Sequence, residues 1–456
     1  MIRKLLHRAA KVFRRTSDHN LPHTRAPASI PKSRHGIRRD VISTGALRTC
    51  ETLQKAGYKA YVVGGAVRDL IAGIDPKDYD IATDATPDEV RGLFRRARII
   101  GRRFQIVHVM QGGETLEVST FRAAHDTHTQ KDEHGRVLRD NVWGSQAEDA
   151  ARRDFTVNAL YYDPTTETVV DYHHGVADIQ QKTLRIIGEP RTRYREDPVR
   201  MLRAVRLSAK LGLAIDPSAR TPIREMASLL ENVPAARIFD EMLKLLFSGY
   251  AVDCIQRLRD EGLHHGLLPL LDVILEQPKG EKFLLLALNN TDQRVRQGKS
   301  TSPGFLFATL LWHEVLVDWE KRKSLDETPI PALYEAMDGV LDQQAEKIAI
   351  TRRIVADIKE IWALQPRFDK RNGKFPLRLL EQPRFRAAYD FLLLRAQSGE
   401  IPMELADWWT RFQDVDIETR LTMLLPDSAK NTTKKRRRKS RSRGTKAQEN
   451  PASGDE

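Results

Sequence analysis

The chain has 456 residues and a formal net charge of +13, a length that predicts two or three domains rather than one. No apolar run approaches the length of a membrane span. Its two cysteines, Cys50 and Cys254, are too few for a disulfide framework and lack the neighbouring pattern of a zinc site. The sequence therefore predicts a protein of a reducing cytosol and disfavours both membrane-spanning and disulfide-rich secreted classes.

Positive charge is concentrated at the two ends of the chain. Residues 1–40 contain eleven Lys/Arg against two Asp/Glu, and residues 426–456 contain ten against four, so the interior is close to neutral. Basic tails are typical of polyanion binding, because each neutralised phosphate releases counterions; solvated disorder without a specific partner is the alternative. Residues 1–15 combine a helical apolar period with a basic face, which suits RNA or weak peripheral contact with an acidic membrane.

The first motif follows a predicted helix at residues 43–55. A β-branched run at 58–63 predicts a buried strand. Gly64 and Gly65 come next, and their missing Cβ atoms let backbone N–H groups approach a phosphate. Residues 66–72 predict a short helix whose first turn favours the same anion.

Asp78 and Asp80 stand at the start of the next predicted strand, residues 79–82. Side chains two apart on a strand point to one face, so the two carboxylates are expected to be neighbours. Such a pair is costly unless a cation is shared, and hard oxygen ligands suit Mg²⁺. Either motif alone is more often a surface turn, but their succession predicts metal-assisted nucleotidyl transfer.

Residues 86–121 are predicted to extend the same sheet. Thr86 followed by Pro-Asp-Glu predicts a capped helix start. A hairpin is then predicted between 99–109 and 115–121. Glu117, on its second strand, is a candidate third metal carboxylate or an exposed strand residue. The polar stretch 122–147 predicts a loop, since its scattered histidines have no metal-ligand spacing.

Two later segments carry clustered charge. Arg152 and Arg153 are candidate phosphate contacts or solvent-facing cations, and Asp154 lies four residues before Asn158. Farther on, a helix is predicted to begin at Asp197-Pro198 and to end at Gly212. Its buried stripe comprises Val199, Leu202, Val205 and Ala209, whereas Arg200, Arg203 and Arg206 recur on another face, which on periodicity alone favours a solvated basic surface.

Residues 213–425 predict helices with short breaks and contain no catalytic motif. Such a region suits a body that holds RNA. Trp408 and Trp409 fit a helix core better than a base-stacking surface. Residues 434–443 predict a disordered basic tail.

The ordered strand, Gly-Gly, Arg-Asp and Asp-x-Asp at 58–82 resemble the head motif of the class II nucleotidyltransferases, the family of poly(A) polymerases and CCA-adding enzymes. The string Arg-Arg-Asp-Phe-Thr-Val-Asn-Ala-Leu at 152–160 is similar to the family's second signature. Residues 171–178 resemble its hinge motif, with His174-Gly175 in place of the usual Gly-Gly, and 196–200 match its Glu-Asp-x-x-Arg motif. These motifs cover roughly residues 58–212.

The resemblance implies roles for particular residues. It implies catalysis by Asp78, Asp80 and Asp154, and metal binding by Asp78 and Asp80 with either Glu117 or Asp154 as the third carboxylate. It implies nucleotide binding by Gly64, Gly65, Arg68, Arg152, Arg153, Glu196, Asp197 and Arg200. Among these, Arg68 would neutralise the triphosphate, while Asp197 and Arg200, supported by Glu196, would read the Watson–Crick edge of the incoming base.

The implied fold is α+β. It comprises a polymerase-β-like nucleotidyltransferase head with a mixed sheet, then an all-helical neck and body, between basic tails. The expected boundaries are 1–40 for a mostly flexible extension, 41–180 for the head, 181–250 for the base-selecting neck, 251–425 for the RNA-binding body and 426–456 for a disordered tail.

The implied activity is template-independent addition of AMP from ATP to RNA 3′ ends, including mRNA, with two Mg²⁺ ions. The implied setting is the cytoplasm of a bacterium, with RNA-decay proteins as partners. Runs at 101–109, 383–395 and 408–413 favour the poly(A) polymerase side of the family. A CCA-adding enzyme, which shares the head, is the alternative. A non-catalytic RNA-binding protein would leave the paired carboxylates unexplained.

Overall fold

The structure, a computed structural model of the full chain, describes residues 26–101, 105–123, 142–263, 278–345 and 349–426. Three predictions lie outside these residues. They are the amphipathic stretch at 1–15, the basic tail at 434–443 and most of the polar loop with its histidines.

The head is built on an eight-stranded mixed sheet with the order β1-β8-β7-β2-β3-β6-β5-β4. The parallel contact is between β3 and β6, whereas β2 with β3 and β5 with β6 are antiparallel. The strands are β1 (Ala28–Ile30), β2 (Ala60–Val63), β3 (Asp80–Thr83), β4 (Ala97–Ile100), β5 (Ile106–Gln111), β6 (Glu114–Thr120), β7 (Leu160–Asp163) and β8 (Thr168–Asp171). The predicted mixed sheet is confirmed, and the predicted hairpin is formed by β5 and β6. Its first predicted arm, 99–109, instead contains the end of β4 and the start of β5.

The head helices are α1 (Lys32–His35), α2 (Thr44–Lys55), α3 (Gly65–Ile71), α4 (Pro87–Leu93), α5 (Gln146–Arg152) and α6 (Gly175–Gln180). Local sequence explains where two of them begin. The Ser43 side chain accepts from the Ala46 N–H at the start of α2. At the start of α4, Thr86 and Glu89 form the predicted capping box, which satisfies N–H groups that a helix leaves unpaired.

The folded head begins earlier than the expected boundary at residue 41. Strand β1 pairs with β8 in antiparallel register, with Ala28 opposite Asp171. Its short, half-polar sequence gave little sign of a strand, because an edge strand buries only one of its faces.

The neck contains one short two-stranded sheet, in which β9 (Thr183–Leu184) pairs in parallel with β10 (Ala214–Ile215). The expected all-helical neck is therefore helical apart from these two strands. Its helices are α7 (Pro190–Glu196), α8 (Val199–Leu211), α9 (Pro217–Glu225) and α10 (Ala235–Leu246). The predicted stripe on α8 is buried, and Gly212 ends the helix with φ 63°. This left-handed conformation suits glycine.

The body comprises α11 (Ala251–Asp260), α12 (Pro278–Arg296), α13 (Pro303–Ser324), α14 (Pro329–Ala345), α15 (Arg352–Leu364), α16 (Phe375–Leu380), α17 (Phe385–Ser398), α18 (Met403–Asp414) and α19 (Ile417–Met423). One apolar core runs through neck and body, and a second lies near the end of the described chain. Trp408 and Trp409 belong to this second core, as expected. No helix within the described ranges is long and apolar enough to cross a membrane. Cys50 and Cys254 are buried free thiols.

Candidate active site

Asp80 and Glu117 lie side by side at the centre of the head sheet. Asp80 begins β3, and the parallel register places it beside Glu117 of β6. Asp78 differs from the expectation, because it is an exposed residue of the loop two positions before the strand begins. On the other side of Glu117, His108 Nε2 lies 3.5 Å from its Oε1. The sheet thus places Glu117 next to Asp80.

The electrostatics of Asp80 fit a cation site. Asp80 is exposed to solvent, but desolvation by the surrounding protein, together with Glu117 and Asp78, raises the pKa of Asp80 to about 6, against the opposing effect of Arg153. Carboxylates that repel one another in this way are ligands a divalent cation would relieve. Among the residues that the structure describes, no three His, Cys, Asp or Glu side chains could hold a metal ion by themselves. The adjacent carboxylates of Asp80 and Glu117 fit Mg²⁺, which usually takes one or two carboxylates and completes its shell with water and substrate phosphates.

Gly64 has a backbone conformation that requires glycine. Its φ of 71° and ψ of −124° are outside the regions open to other residues. A Cβ at this position would also lie 3.2 Å from Arg153 Nη1. The Gly64 N–H donates to the Leu160 carbonyl at 3.1 Å, so it is already used. Any phosphate contact would rest on Gly65 and the first turn of α3 instead.

Arg153, one of the predicted phosphate contacts, lies next to the glycine turn. It lies against Gly64 and acts electrostatically on Asp80. Its Nε and Nη2 pair with Asp149 Oδ2 at 3.2 and 3.1 Å, and its Nη1 donates to the Asn158 carbonyl. Although burial opposes the charge, Tyr161 and Asp149 raise the pKa of Arg153 above its usual value. A permanent positive charge is therefore held beside the glycines and the carboxylates.

Arg68 is placed differently from the expectation. It is 7% exposed, and its guanidinium donates to Asp69 Oδ1 at 2.8 and 2.6 Å and to Asn158 Oδ1 at 2.5 Å. Lys210 of the neck donates to the other oxygen of Asp69 at 2.7 Å. This arrangement favours a role in holding the head together over direct neutralisation of a triphosphate.

Asp154 forms its ion pair with the neck and does not lie in the carboxylate pair of Asp80 and Glu117. Arg203 Nη2 lies 2.6 Å from its Oδ2, and Asn158 Nδ2 donates to its Oδ1 at 2.9 Å. Desolvation opposes ionisation, but Arg203, Asn158 and the Phe155 N–H lower the pKa of Asp154 to about 2. Asp154 is thus a permanent anion at the junction of head and neck.

The arginine face of α8 is not the solvated surface that periodicity favoured. Arg200 pairs with Glu196, Arg203 with Asp154 and Arg206 with Glu241, and the three side chains are only 12%, 31% and 18% exposed. A periodic pattern shows which residues share a face but not what packs against that face. Here acidic groups of the head and neck cover it.

The predicted base-reading residues lie together between α7 and the start of α8. Asp197 accepts from Arg237 Nη2 at 3.1 and 3.0 Å. Arg200 Nη1 donates to Glu196 Oε2 at 3.0 Å and to the Arg193 carbonyl at 2.7 Å. An acceptor and a donor thus stand one turn apart, each bonded to a neighbouring residue.

Arg193 and Lys210 are site-supporting residues that sequence reasoning missed. Arg193 Nη2 donates to the carbonyls of Arg152 and Arg153, at 2.8 and 2.5 Å, which ties α7 to the head. Lys210 lies seven residues after Arg203, two turns along α8, so both side chains meet the head on one face. This seven-residue spacing is the sequence pattern from which a contact between Lys210 and the head could have been predicted.

The hinge motif at residues 171–178 keeps a left-handed turn although His174 replaces the first glycine of the family's Gly-Gly. His174 adopts φ 63° and precedes α6. Asp171 accepts from the N–H groups of His173, Gly175 and Val176 at 3.0 to 3.1 Å, which fixes the turn. A Cβ on Gly175 would lie 2.2 Å from the Thr156 carbonyl oxygen, so the second glycine is required by space.

A mixed sheet with adjacent carboxylates on β3 and β6, a glycine turn before α3 and a helical neck defines a nucleotidyltransferase head. Family models agree along the chain. "Poly A polymerase head domain" matches residues 60–185, "Probable RNA and SrmB- binding site of polymerase A" matches 212–275, and "Polymerase A arginine-rich C-terminus" matches 325–443.

Similar proteins narrow the class. Poly(A) polymerase I of Salmonella typhimurium is 45% identical over 399 residues, covering 84% of this chain and 85% of the relative. That of Haemophilus influenzae is 43% identical over 391 residues, 83% and 86%. A CCA-adding enzyme of Bacillus pumilus is 37% identical over 224 residues, covering 49% and 55%. The chain belongs to the bacterial poly(A) polymerase I family.

Solved structures share the fold. The apo form II of a CCA-adding enzyme matches with a TM-score of 0.55 at 17% identity, covering 83% of this chain and 86% of that one. The Thermotoga maritima CCA-adding enzyme with tRNA matches with a TM-score of 0.54 at 17% identity, covering 84% and 86%. At this identity the match shows the architecture alone.

Proposed function

We propose that this protein adds AMP from ATP to RNA 3′ ends without a template. The observation that carries the proposal is the Asp80–Glu117 pair beside the Gly64–Arg153 turn, in a chain that matches poly(A) polymerase I relatives over 84% of its length. CCA-adding relatives match about half of it, which makes tRNA end repair the second candidate.

The carboxylates of the head would hold the metal. Asp80 and Glu117 on adjacent strands provide oxygen ligands of the kind that Mg²⁺ prefers, and Asp78 of the preceding loop is the further candidate ligand. When bound, Mg²⁺ supplies activation of the attacking 3′-hydroxyl and stabilisation of the pyrophosphate leaving group. The chain itself contributes by positioning ATP and by balancing its charge, which is the larger part of catalysis in phosphoryl transfers.

The neck would choose the base. Asp197 and Arg200 offer an acceptor and a donor for the adenine edge, supported by Glu196, and their partners Arg237 and Arg193 fix them before ATP arrives. Such preorganised groups discriminate bases because a wrong edge leaves a polar group unpaired. Arg153 beside Gly64 would meet the phosphates.

We infer the RNA substrate and its setting from the family. The substrate would be the 3′ end of RNA, including mRNA, in the cytoplasm of a bacterium, with the basic ends of the chain contributing phosphate contacts. The family description of residues 212–275 as a probable RNA- and SrmB-binding site supports RNA and a protein partner at this segment, for which we propose RNA-decay proteins.

The test is an extension assay with purified protein and Mg²⁺. A non-tRNA oligoribonucleotide and a tRNA lacking its CCA end are each offered ATP, CTP, GTP or UTP singly. Long tails made only from ATP on either RNA are expected. A short extension of the tRNA that requires CTP would support the CCA-adding alternative, and no extension of either RNA would refute both.

The site assignment has its own variant. Asp80→Asn should reduce turnover at least about 10²-fold, since it removes one electrostatic stabiliser without changing shape. Asp75→Asn, an equal change of charge at an exposed residue of the same loop, is the matched control. Near-normal turnover of Asp80→Asn would contradict the assignment.

A further inference from the structure

The helical body contains a large cleft that the reaction described above does not use. Its volume is about 690 Å³, and it lies between the C-terminal half of α12, the loop at 297–302 and α17. Its described lining contains no residue of the head. This size is in the range of clefts that bind small molecules or single nucleotides.

Amide side chains are unusually frequent on its wall. Asn290, Gln293, Gln297 and Gln397 all line the cleft and are exposed to solvent. Within the described part of the chain none of the four side chains has a hydrogen-bond partner. Each amide offers a donor and an acceptor together, which is the pair needed to contact adenine N6 and N7 in bidentate fashion.

The remaining lining supplies charge and apolar surface. Lys299 lies on the loop with no ion-pair partner among the described residues, and Arg386 is 73% exposed with Asp390 as its partner. Phe247 and Phe305 line the same cleft and are half-buried. Cations that neutralise phosphates and aromatic faces that receive bases are the two features that single-stranded RNA sites combine.

We propose that this cleft binds single-stranded, adenine-rich RNA at a second position, apart from the 3′ end that reacts in the head. The amides read the base edge, the phenylalanines receive a base face, and Lys299 and Arg386 contact the phosphate backbone. For a protein that makes adenine tails, the cleft would hold its own product. The inference rests on the proposed function only in taking RNA as the ligand.

Binding can be measured on the full chain without ATP or Mg²⁺, by fluorescence anisotropy of labelled 20-nucleotide oligo(A), oligo(C) and oligo(U). The double variant Gln293→Ala/Gln397→Ala should bind oligo(A) about tenfold more weakly, since a lost bidentate base contact is worth about that factor. Its affinity for oligo(U) should stay at the wild-type value. Unchanged oligo(A) binding, or equal losses for all three RNAs, would overturn the adenine-reading cleft.

The cationic residues give a second, separable signature. Lys299→Ala/Arg386→Ala should weaken all three RNAs alike and reduce the slope of log affinity against log salt by about one to two. The controls are Gln343→Ala and Lys321→Ala, which alter exposed residues of the same body outside the cleft. All these residues are exposed, so thermal melting should match the wild type. A salt slope unchanged from the wild type would count against backbone contact in the cleft.

The outcome is independent of the catalytic assignment. If wild-type protein extends RNA with ATP but cleft variants bind oligo(A) normally, the cleft inference fails and the proposed function stands. If wild-type protein binds oligo(A) through the cleft but extends no RNA, the proposed function fails and the cleft inference stands.

Discussion

The ion pair between Arg203 and Asp154 gives the most direct test of how the neck is attached to the head. We consider the variant Arg203→Met, which keeps the length of the side chain and removes its charge. Asp154 is 11% exposed and Arg203 31%, so the variant leaves an anion in a largely desolvated place. Breaking a buried pair from one side costs about 3–5 kcal/mol.

The expected loss is smaller because two partners remain. Asn158 and the Phe155 N–H still donate to Asp154 at 2.9 and 2.8 Å. We therefore expect the free energy of unfolding at pH 7 to fall by about 2–3 kcal/mol. The matched control is Arg191→Met, whose partner Glu225 is as exposed as Arg191 itself. A surface pair of this kind should cost no more than about 1 kcal/mol.

The same variant predicts how stability depends on pH. Asp154 has a folded pKa of about 2, below the ordinary aspartate value of about 3.9. A carboxyl with a lowered folded pKa stabilises the fold above its ordinary pKa, and this stabilisation is lost as the pH falls toward the folded value. The difference between wild type and Arg203→Met should therefore be full at pH 7 and 5 and narrower at pH 3.

Urea unfolding followed by circular dichroism at these three pH values is the measurement. The reasoning is refuted if Arg203→Met costs no more than Arg191→Met at pH 7. It is also refuted if the cost of Arg203→Met is the same at all three pH values.

Two backbone predictions can be tested in the same way. Gly64→Ala should destabilise the head by about 1–3 kcal/mol, because alanine disfavours the backbone conformation of Gly64 and the added Cβ would press on Arg153. The control Gly65→Ala, whose Cβ would meet only ordinary contacts, should lie within about 1 kcal/mol of wild type by thermal melting. Equal losses of stability in the two variants would contradict this prediction. His174→Gly should raise the free energy of unfolding by up to about 1 kcal/mol, because His174 now holds a left-handed conformation that glycine adopts freely; a clear loss of stability in urea would show that the histidine ring stabilises the turn.

The sequence predicted most of what depends on local spacing. The capping box before α4, the buried stripe of α8 with its end at Gly212, and the glycine turn at Gly64 are each fixed by residues within a few positions of one another. Helix α8 begins at Val199, slightly later than the predicted start at Asp197-Pro198. The resemblance to the family added the order of the parts. Short-range rules do not depend on what packs against an element, which is why these predictions survive in the folded chain.

The sequence could not predict which residues form ion pairs with the charged residues of the site. Arg68 was expected at a triphosphate and is buried against Asp69, while Asp154 was one of two candidates for the third metal carboxylate and pairs with Arg203. The pairing of Asp154 with Arg203 depends on how the neck docks on the head, which no local pattern encodes, whereas Arg68 pairs with its own neighbour in sequence. Asp78 illustrates a smaller limit, since strand β3 starts at Asp80 and leaves it in the loop.

These unexpected contacts form one closed connection between neck and head. Arg203 of α8 donates to Asp154, and Asn158 also donates to Asp154. Arg68 donates both to Asn158 and to Asp69. Lys210 of α8 donates to Asp69, which closes the connection. The two contacts on α8 are two turns, about 10 Å, apart, so the helix is fixed against both sliding and rotation.

Arg200, the residue proposed to read the base, lies one turn before Arg203 on the same helix. This connection therefore fixes Arg200 relative to Gly64 and Asp80, so the residues proposed for the base and for the phosphates of ATP would act as one unit. Nucleotide selection in this chain should accordingly depend on Arg203 and Lys210, although neither is proposed to contact the base.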